Sequence, residues 1–249
     1  MTGLLPADAV SRRVDAEAIL LLGGGRALLM QLAHPSVAAG VAEHSDFRSD
    51  PLSRLQRTLD ATYTVVFGTE EQARAVGQGL AKVHARVVGP GYRADDPALL
   101  LWVHATLVDT ALRVHRRFLR PLSSDDAERY YDESKIIGSA LGVPDDVLPA
   151  TLAEFRQYVR TMVATLEVSD VARELAHAVL HPDVPLVLEP AVELGRQLTA
   201  GLLPGPLRRQ YGLSWDRPRS MALTLAGLAS RQVLPRVPGS WRRVPVTAA

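Results

Sequence analysis

The sequence predicts an all-α fold, a single compact multi-helix domain with room for an internal cofactor pocket. Hydrophobic residues make up 47% of the 249 residues but aromatic residues only 5%, and few aromatics with many aliphatics favour helices over a β-sandwich. Apolar residues recur at helical spacing between clear start and stop signals. A domain of this length buries roughly three quarters of its unfolded surface. No alternating segment predicts a strand, and no linker divides the chain.

The first predicted helix runs from about residue 14 to 33 and ends before Pro35, because proline disfavours helical geometry in the residue before it. A glycine run at 23–25 allows another group to approach it closely. A short helix follows to Glu43. Asp50 then acts as an N-cap, with Pro51 at the first helical position. Further helices are predicted at about 51–67, 70–89, 97–119, 124–142, 151–166, 170–181, 190–203 and 214–234.

Two later starts are well marked. Thr69 and Gln72 have the spacing of a capping box, and Asp96-Pro97 repeats the cap-plus-proline pattern. We expect an N-terminal arm at 1–13, a helical domain at 14–235, and a Pro- and Arg-rich surface tail at 236–249.

Composition excludes several classes of function. The net charge of +1 leaves no basic excess to bind nucleic acid through phosphate neutralisation. The absence of Cys excludes disulfides, Cys-ligated clusters and Cys nucleophiles. The N-terminus lacks the basic region and apolar run of a signal peptide, and the longest apolar stretch, 18–33, is too short to span a bilayer. We therefore expect a cytoplasmic protein without a transmembrane segment.

Two histidines are candidate ligands inside a pocket. His84 shares a predicted helix face with Leu80 and Val87, and His104 shares one with Leu107 and lies in the most apolar helix. Both are expected to point inward. The plainer interpretation of each is a core histidine that is hydrogen-bonded to a backbone carbonyl.

The other histidines favour ordinary roles. His177 and His181 lie at i and i+4, a spacing that can bind zinc, but neither the base of a zinc protease nor a third ligand is evident. Glu174 and His177 form only one of the two Glu-x-x-His pairs that a di-iron bundle needs. His34 and His44 are expected at helix ends.

Nine colinear segments between about residues 15 and 235 resemble the haem b oxygenase family of the latex-clearing rubber oxygenases and the mycophenolic-acid-pathway oxygenase. The segments are QLAHP at 31–35, EHSDF at 43–47, DPLSRLQRT at 50–58, VFG at 66–68, KVH at 82–84, YRADDP at 92–97, WVHATLVD at 102–109, RYYDE at 129–133 and LGVP at 141–144. The resemblance implies a distantly globin-like helical fold that encloses haem b, whose iron has a histidine axial ligand. It also implies dioxygen as co-substrate and a hydrophobic alkene or prenyl chain as substrate.

The resemblance places the axial ligand at about His84, while His104 stays open as the ligand itself or as a residue that shapes the pocket. Arg54, Arg57 and Thr58 lie at i, i+3 and i+4, on one predicted helix face. The matching segment of the rubber oxygenases reads Arg-x-x-Lys-Thr and lies on the distal side of haem.

Arg57 replaces the lysine of that pattern. A guanidinium ligates iron poorly and is better suited to a haem propionate or a substrate carboxylate. Glu43, near a matching segment, is the candidate base for an allylic proton.

The sequence thus predicts a haem b-dependent oxygenase that uses dioxygen on a hydrophobic, lipid-like substrate. A non-catalytic carrier or sensor of haem or a lipid-like ligand remains an alternative, as does a haem-free helical interaction domain. Substrate identity, product, redox partner and oligomeric state are left open, because a fold does not fix the chemistry of its site.

Overall fold

The computed structural model describes residues 3–44 and 51–244, and describes only the backbone of residues 51–55. This part of the chain is almost entirely helical, which confirms the predicted all-α class. The helices are α1 (Val10–Asp15), α2 (Gly24–Leu32), α3 (Pro35–His44), α4 (Pro51–Phe67), α5 (Glu70–His84), α6 (Pro97–Phe118), α7 (Ser124–Ala140), α8 (Leu152–Thr165), α9 (Asp170–Leu180), α10 (Glu189–Leu202), α11 (Gly205–Gln210), α12 (Arg217–Val233) and α13 (Gly239–Arg242). Short 3₁₀ helices lie at Ala18–Gly23, Asp145–Val147, Leu186–Leu188 and Leu234–Arg236.

The two helix starts predicted at Thr69 and Asp96 are confirmed. Thr69 and Gln72 form a complete capping box at α5. The carboxylate of Asp96 accepts a hydrogen bond from the Ala98 amide at α6. The N-cap that was predicted at Asp50 lies outside the described residues. Each cap satisfies an amide that would otherwise lack a partner at a helix start.

The single first helix predicted from residue 14 to 33 is wrong. The segment divides into α1, the 3₁₀ helix Ala18–Gly23 and α2. α1 begins at Val10 because the carboxylate of Glu133 accepts hydrogen bonds from the amides of Val10 and Ser11, at 3.1 and 2.6 Å. This anchor comes from α7, 122 residues further along the chain from Ser11.

The glycine run packs against other helices. A Cβ on Gly23 would overlap the side chain of Thr110 on α6, and a Cβ on Gly25 would overlap that of Thr199 on α10. The expected close approach is therefore made by helices. It brings the 3₁₀ helix and α2 directly against the central helix of the domain.

The helix predicted at 70–89 ends earlier than expected, so its predicted end near Gly89 is also wrong. α5 ends at His84, and a two-stranded antiparallel hairpin follows, β1 (Val88–Gly89) and β2 (Tyr92–Arg93). The hairpin is too short for a period-two pattern to reveal it. Helix α11 was likewise not predicted.

The described part of the tail, residues 236–244, contacts the N-terminal segment. The amide of Val244 donates to the carbonyl of Ala16 at 2.8 Å, and Arg242 pairs with Glu17 at 3.0 Å. Other parts of the tail stay exposed, including Trp241. The predicted bounds of the domain, 14–235, stay a prediction.

Helix α6 lies at the centre of the core. Trp102 is fully buried there, and its indole donates to the carbonyl of Met30 at 3.1 Å. Among the described residues, α6 is also the one helix long and apolar enough to span a bilayer. Half of its apolar window is buried inside the protein, as in the core helix of a globular domain.

Candidate functional site

An apolar cavity lies between α4, α6, α7 and the 3₁₀ helix Ala18–Gly23. Its cavity volume is about 110 Å³, within a wider space of about 840 Å³ that is partly open to solvent. Its apolar wall includes Leu20, Leu107, Val108, Ala111, Ile137 and Leu141. Its polar groups include Asp15, Thr58, Thr62, Tyr63, His104, Thr110, Tyr130 and Ser134.

His104 lies in the wall of this cavity, as the apolar face of its helix predicted. It is buried, and its Nε2 has no hydrogen-bond partner in the described part of the chain. Burial lowers the pKa of His104 to about 4, and a backbone hydrogen bond with Ser134 raises it slightly. The imidazole is therefore neutral at pH 7.

The ring of His104 lies directly against Gly138 of α7. A Cβ on Gly138 would be 2.9 Å from Nε2 and 3.0 Å from Cδ2 of His104. The glycine thus makes the space for the imidazole, and the Nε2 edge of the ring faces α7 at packing distance. Even a methyl group at Gly138 would force the imidazole or α7 to move.

Asp15 is a cavity residue that the sequence analysis missed. It ends α1, is buried, and accepts a hydrogen bond of 3.1 Å from the hydroxyl of Tyr130. Burial raises the pKa of Asp15 to about 7; the Tyr130 bond lowers it in part, and the charge of Glu133 raises it further. The sequence signal that could have revealed Asp15 is an acidic residue next to the apolar residues Val10 and Val14 of the same helix.

Two tyrosines complete this polar end of the cavity. Burial raises the pKa of Tyr63 on α4 to about 12, with a smaller contribution from the charge of Asp15. Burial also raises the pKa of Tyr130, and Asp15 adds to that shift. Both phenols therefore stay protonated near neutral pH and act as hydrogen-bond donors. The cavity thus combines an apolar wall with a small set of groups that can hold or donate a proton.

The predicted Arg54, Arg57 and Thr58 group is divided. Thr58 lines the cavity, whereas Arg57 is exposed to solvent. The side chain of Arg54 lies outside the described residues. The shared face that was expected for Arg57 and Thr58 is therefore not observed, because the face of α4 that carries Thr58, Leu59 and Thr62 is the one that lies on the cavity.

His84 does not line the cavity. It is the last residue of α5 and is half-buried, so the expected inward orientation is only partly seen. Its neighbours Val83 and Val88 are exposed, with 57% and 43% of their surface accessible. His84 thus lies at a solvent-exposed helix end, beside these valines and close enough to Asp95 for an electrostatic interaction.

Glu43 also lies away from the cavity. It is exposed on α3, and its carboxylate accepts a hydrogen bond of 2.6 Å from the hydroxyl of Tyr92. Burial and this bond raise the pKa of Tyr92 to about 12. Of the predicted site residues with described side chains, the structure brings Thr58 and His104 to the cavity but not His84, Arg57 or Glu43.

No metal site is formed by side chains alone in the described ranges, where no group of three His, Cys, Asp or Glu residues could hold a metal ion. His177 and His181 stack on each other with ring centroids 4.3 Å apart. They remain a pair without a third ligand, so the structure adds nothing to the zinc alternative.

The structure defines an all-helical protein with an apolar cavity beside its central helix. The chain belongs to the family of the ER-bound oxygenase mpaB/B′ and rubber oxygenase catalytic domain, whose model matches residues 11–232. The description of that family names an oxygenase catalytic domain.

Two curated mycobacterial relatives are similar to the chain over 157 residues at 30% identity. They are the uncharacterized proteins Mb2261 of Mycobacterium bovis and Rv2237 of Mycobacterium tuberculosis. The match covers 59% of this chain and 61% of each relative, so it spans about three fifths of their length. No solved structure matches the chain significantly.

Proposed function

We propose that this protein is a haem b-dependent oxygenase that uses dioxygen to oxidise a hydrophobic substrate such as an unsaturated or prenyl chain. The observation that carries the proposal is the apolar cavity whose wall includes Thr58, the threonine of the family-like Arg-x-x-x-Thr segment. The family supports an oxygenase, and the apolar wall favours a substrate of low polarity.

His84 is the residue that we propose as the axial ligand of haem iron. Haem needs an imidazole beside an apolar space, and Val83 and Val88 leave apolar surface exposed next to His84. His104 is the alternative, but its Nε2 edge lies against Gly138. Ligation by His104 would require α7 to move away from the ring.

Arginines on α4 are suited to the acidic edge of haem. Arg57 is exposed, and a guanidinium pairs well with a propionate carboxylate. Arg54 belongs to the same segment by resemblance. We propose both as propionate partners, with Thr58 as the hydrogen-bonding group that faces the cavity.

When bound, haem supplies the iron centre at which dioxygen is activated. The chain itself supplies an apolar wall, which binds and orients the substrate. Two carboxylates are candidates for the group that accepts a substrate proton. Glu43 is proposed from the resemblance, and Asp15 from its place in the cavity with a pKa of about 7, which suits a proton acceptor at neutral pH.

Oxygen uptake with a polyisoprenoid or short prenyl substrate tests the proposal. Ala111→Phe places a large side chain in the cavity wall on α6, so we expect uptake to fall at least about tenfold while haem absorbance is retained. Ala164→Phe on the exposed face of α8 is the matched control and should retain uptake. Haem-loaded wild-type protein without substrate-dependent uptake would contradict an oxygenase.

A non-catalytic carrier or sensor of haem or a lipid-like ligand is the second candidate. Arg57 favours it, because the family lysine is replaced by a group that ligates iron poorly. Arg57→Lys separates the two functions. If the arginine has only altered an oxygenase, this variant should retain or increase uptake; a carrier would show haem or lipid binding and no uptake in either form.

A further inference from the structure

We propose that a second pocket, lined by arginines from α6, α11 and α12, binds the phosphate or diphosphate group of a small molecule. This arginine pocket consists of Arg113, Arg116, Arg117, Arg208 and Arg231 together with Gly201, Leu202, Trp215, Ser220 and Leu223. It encloses about 950 Å³ of space, part of it open to solvent. It is separate from the apolar cavity and does not depend on the haem proposal.

The pocket concentrates positive charge without neutralising it. No acidic side chain is among its described lining residues. Within residues 3–44 and 51–244, none of its five arginines forms an ion pair. Asp109, the acid one turn before Arg113 on α6, is paired with the buried Arg26 instead. The net charge of the chain is only +1, so the fold itself gathers these positive charges in one place.

Mutual repulsion is visible at Arg113 and Arg117. Burial lowers the pKa of Arg113, and the charges of Arg26 and Arg116 lower it further. Burial also lowers the pKa of Arg117, with contributions from Arg231 and Arg116. An anion placed among these groups would relieve the repulsion.

Three of the arginines are fixed in place by the protein. Arg117 donates to the hydroxyl of Thr224 at 3.1 Å. Arg208 donates to the carbonyl of Ala200 at 3.1 Å, and its guanidinium lies 5.3 Å from the ring centroid of Trp215. Arg231 donates to the carbonyl of Arg116. Prearranged donors lower the cost of ordering a binding site.

Other donors remain available to a ligand. The Nε of Arg231 is buried and has no partner in the described part of the chain. The side chains of Arg113 and Arg116 form no hydrogen bond among the described residues and are exposed. A buried donor without a partner costs free energy, so the Nε of Arg231 favours a bound acceptor.

The chemistry of the pocket selects a phosphate-type group. Guanidinium forks match the oxygens of a phosphate bidentately, and several converging arginines favour more than one negative charge. A concave pocket between three helices suits a small molecule better than a nucleic acid, which needs an extended basic surface. The phosphate can belong to a soluble metabolite or to a lipid headgroup.

Isothermal titration of the full chain with sodium pyrophosphate and with sodium phosphate tests the soluble source. Arg113→Gln and Arg116→Gln remove side chains that form no hydrogen bond or ion pair among the described residues, so both variants should fold normally. We expect each to weaken pyrophosphate binding at least about tenfold, and we expect high salt to weaken it further. Arg156→Gln, an exposed arginine on α8, is the matched control.

Sedimentation with vesicles tests the lipid source, with phosphatidic acid in phosphatidylcholine compared against phosphatidylcholine alone. Vesicle binding that needs phosphatidic acid and is lost in both pocket variants would assign the site to a lipid headgroup. Pyrophosphate binding that is lost in them would assign it to a soluble ligand. The proposal is overturned if neither probe binds, or if the Arg156→Gln control loses binding as much as the pocket variants do.

Discussion

Two buried titratable residues of the apolar cavity have oppositely shifted pKa values, and each favours its neutral form. Burial raises the pKa of Asp15 to about 7 and lowers that of His104 to about 4. Removal from water disfavours a negative carboxylate and a positive imidazolium alike. These two residues are therefore both mostly neutral between about pH 4 and pH 7.

The shift at Asp15 predicts how stability depends on pH. Its pKa in the fold exceeds its ordinary value of 3.8, so its contribution to stability is complete below about pH 4. That contribution is lost as the pH rises towards 7, because the unfolded chain releases the proton first. The loss is on the order of 4 kcal/mol.

Asp15→Asn should remove this dependence. The amide is neutral at every pH, and its oxygen can still accept the hydrogen bond from Tyr130. We expect the variant and the wild type to have similar free energies of unfolding at pH 4, and the variant to be more stable by a few kcal/mol at pH 8. Denaturant titrations across this pH range measure the difference, and parallel curves for the two proteins would contradict a raised pKa.

His104 makes the converse contribution. Its pKa in the fold lies below the ordinary value of 6.5, so its contribution to stability is present above about pH 6.5. That contribution is lost as the pH falls towards 4. The two contributions change in opposite directions between about pH 4 and pH 7, so they largely offset each other in the total stability of the wild type.

At the level of elements, local signals predicted the helices well. The start of α5 was predicted because Thr69 and Gln72 satisfy each other's neighbouring amides within one turn. The start of α6 was predicted for the same kind of reason, from Asp96 and Pro97. A capping interaction is complete within a few residues, so the sequence contains all of its parts.

Elements that depend on distant residues were not predicted. α1 begins where it does because Glu133 binds its first amides, and no local pattern reports that contact. The interrupted helix from residue 14 to 33 depends on Thr110 and Thr199, which lie against Gly23 and Gly25.

Gly25 provides a test of this packing. In Gly25→Ala, the added methyl would overlap the Thr199 side chain, so we expect a loss of about 1–3 kcal/mol in the free energy of unfolding. Gly79→Ala on α5 is the matched control, because a Cβ there meets nothing within 4 Å. It should stabilise the protein by about 0.5–1 kcal/mol. Equal effects of the two substitutions would refute the packing explanation.

At the level of the whole molecule, a buried arginine joins three helices. Arg26 of α2 is 2% exposed; it pairs with Asp109 and Thr110 of α6 and donates to the carbonyl of Leu202 on α10 at 3.0 Å. Because Asp109 pairs with Arg26, its carboxylate does not form an ion pair with the arginines of the arginine pocket. Arg26 thus separates the apolar cavity, which Thr110 lines, from the charged pocket, which Leu202 lines.

Removing Arg26 should destabilise the whole fold. Arg26→Ala leaves Asp109 without its cation and opens a gap between three helices, so we expect a loss of about 3–5 kcal/mol in the free energy of unfolding. Arg74→Ala, which breaks an exposed pair with Glu70, should cost less than about 1 kcal/mol. Guanidinium titrations of both variants measure the contrast, and a cost at Arg26 no greater than at Arg74 would show that the buried pair is not structural.

The candidate site was only partly predictable from the sequence. His104 and Thr58 were expected at a pocket and line the cavity, since helical periodicity reports which face of a helix is buried. Asp15 was not expected, because the position of α1 beside the cavity depends on contacts with the distant helices α4, α6 and α7. The positions of Glu43 and Arg57 relative to the cavity depend on how helices pack, which spacing within one helix does not determine.

The absorption spectrum of the purified protein, with haemin supplied and with and without dithionite, tests the central claim most directly. The account predicts a Soret band that shifts on reduction, is lost in His84→Ala and is retained in His104→Ala. A band retained in His84→Ala and lost in His104→Ala would transfer the ligand to the cavity. A protein that stays colourless with haemin would contradict the haem-dependent function altogether.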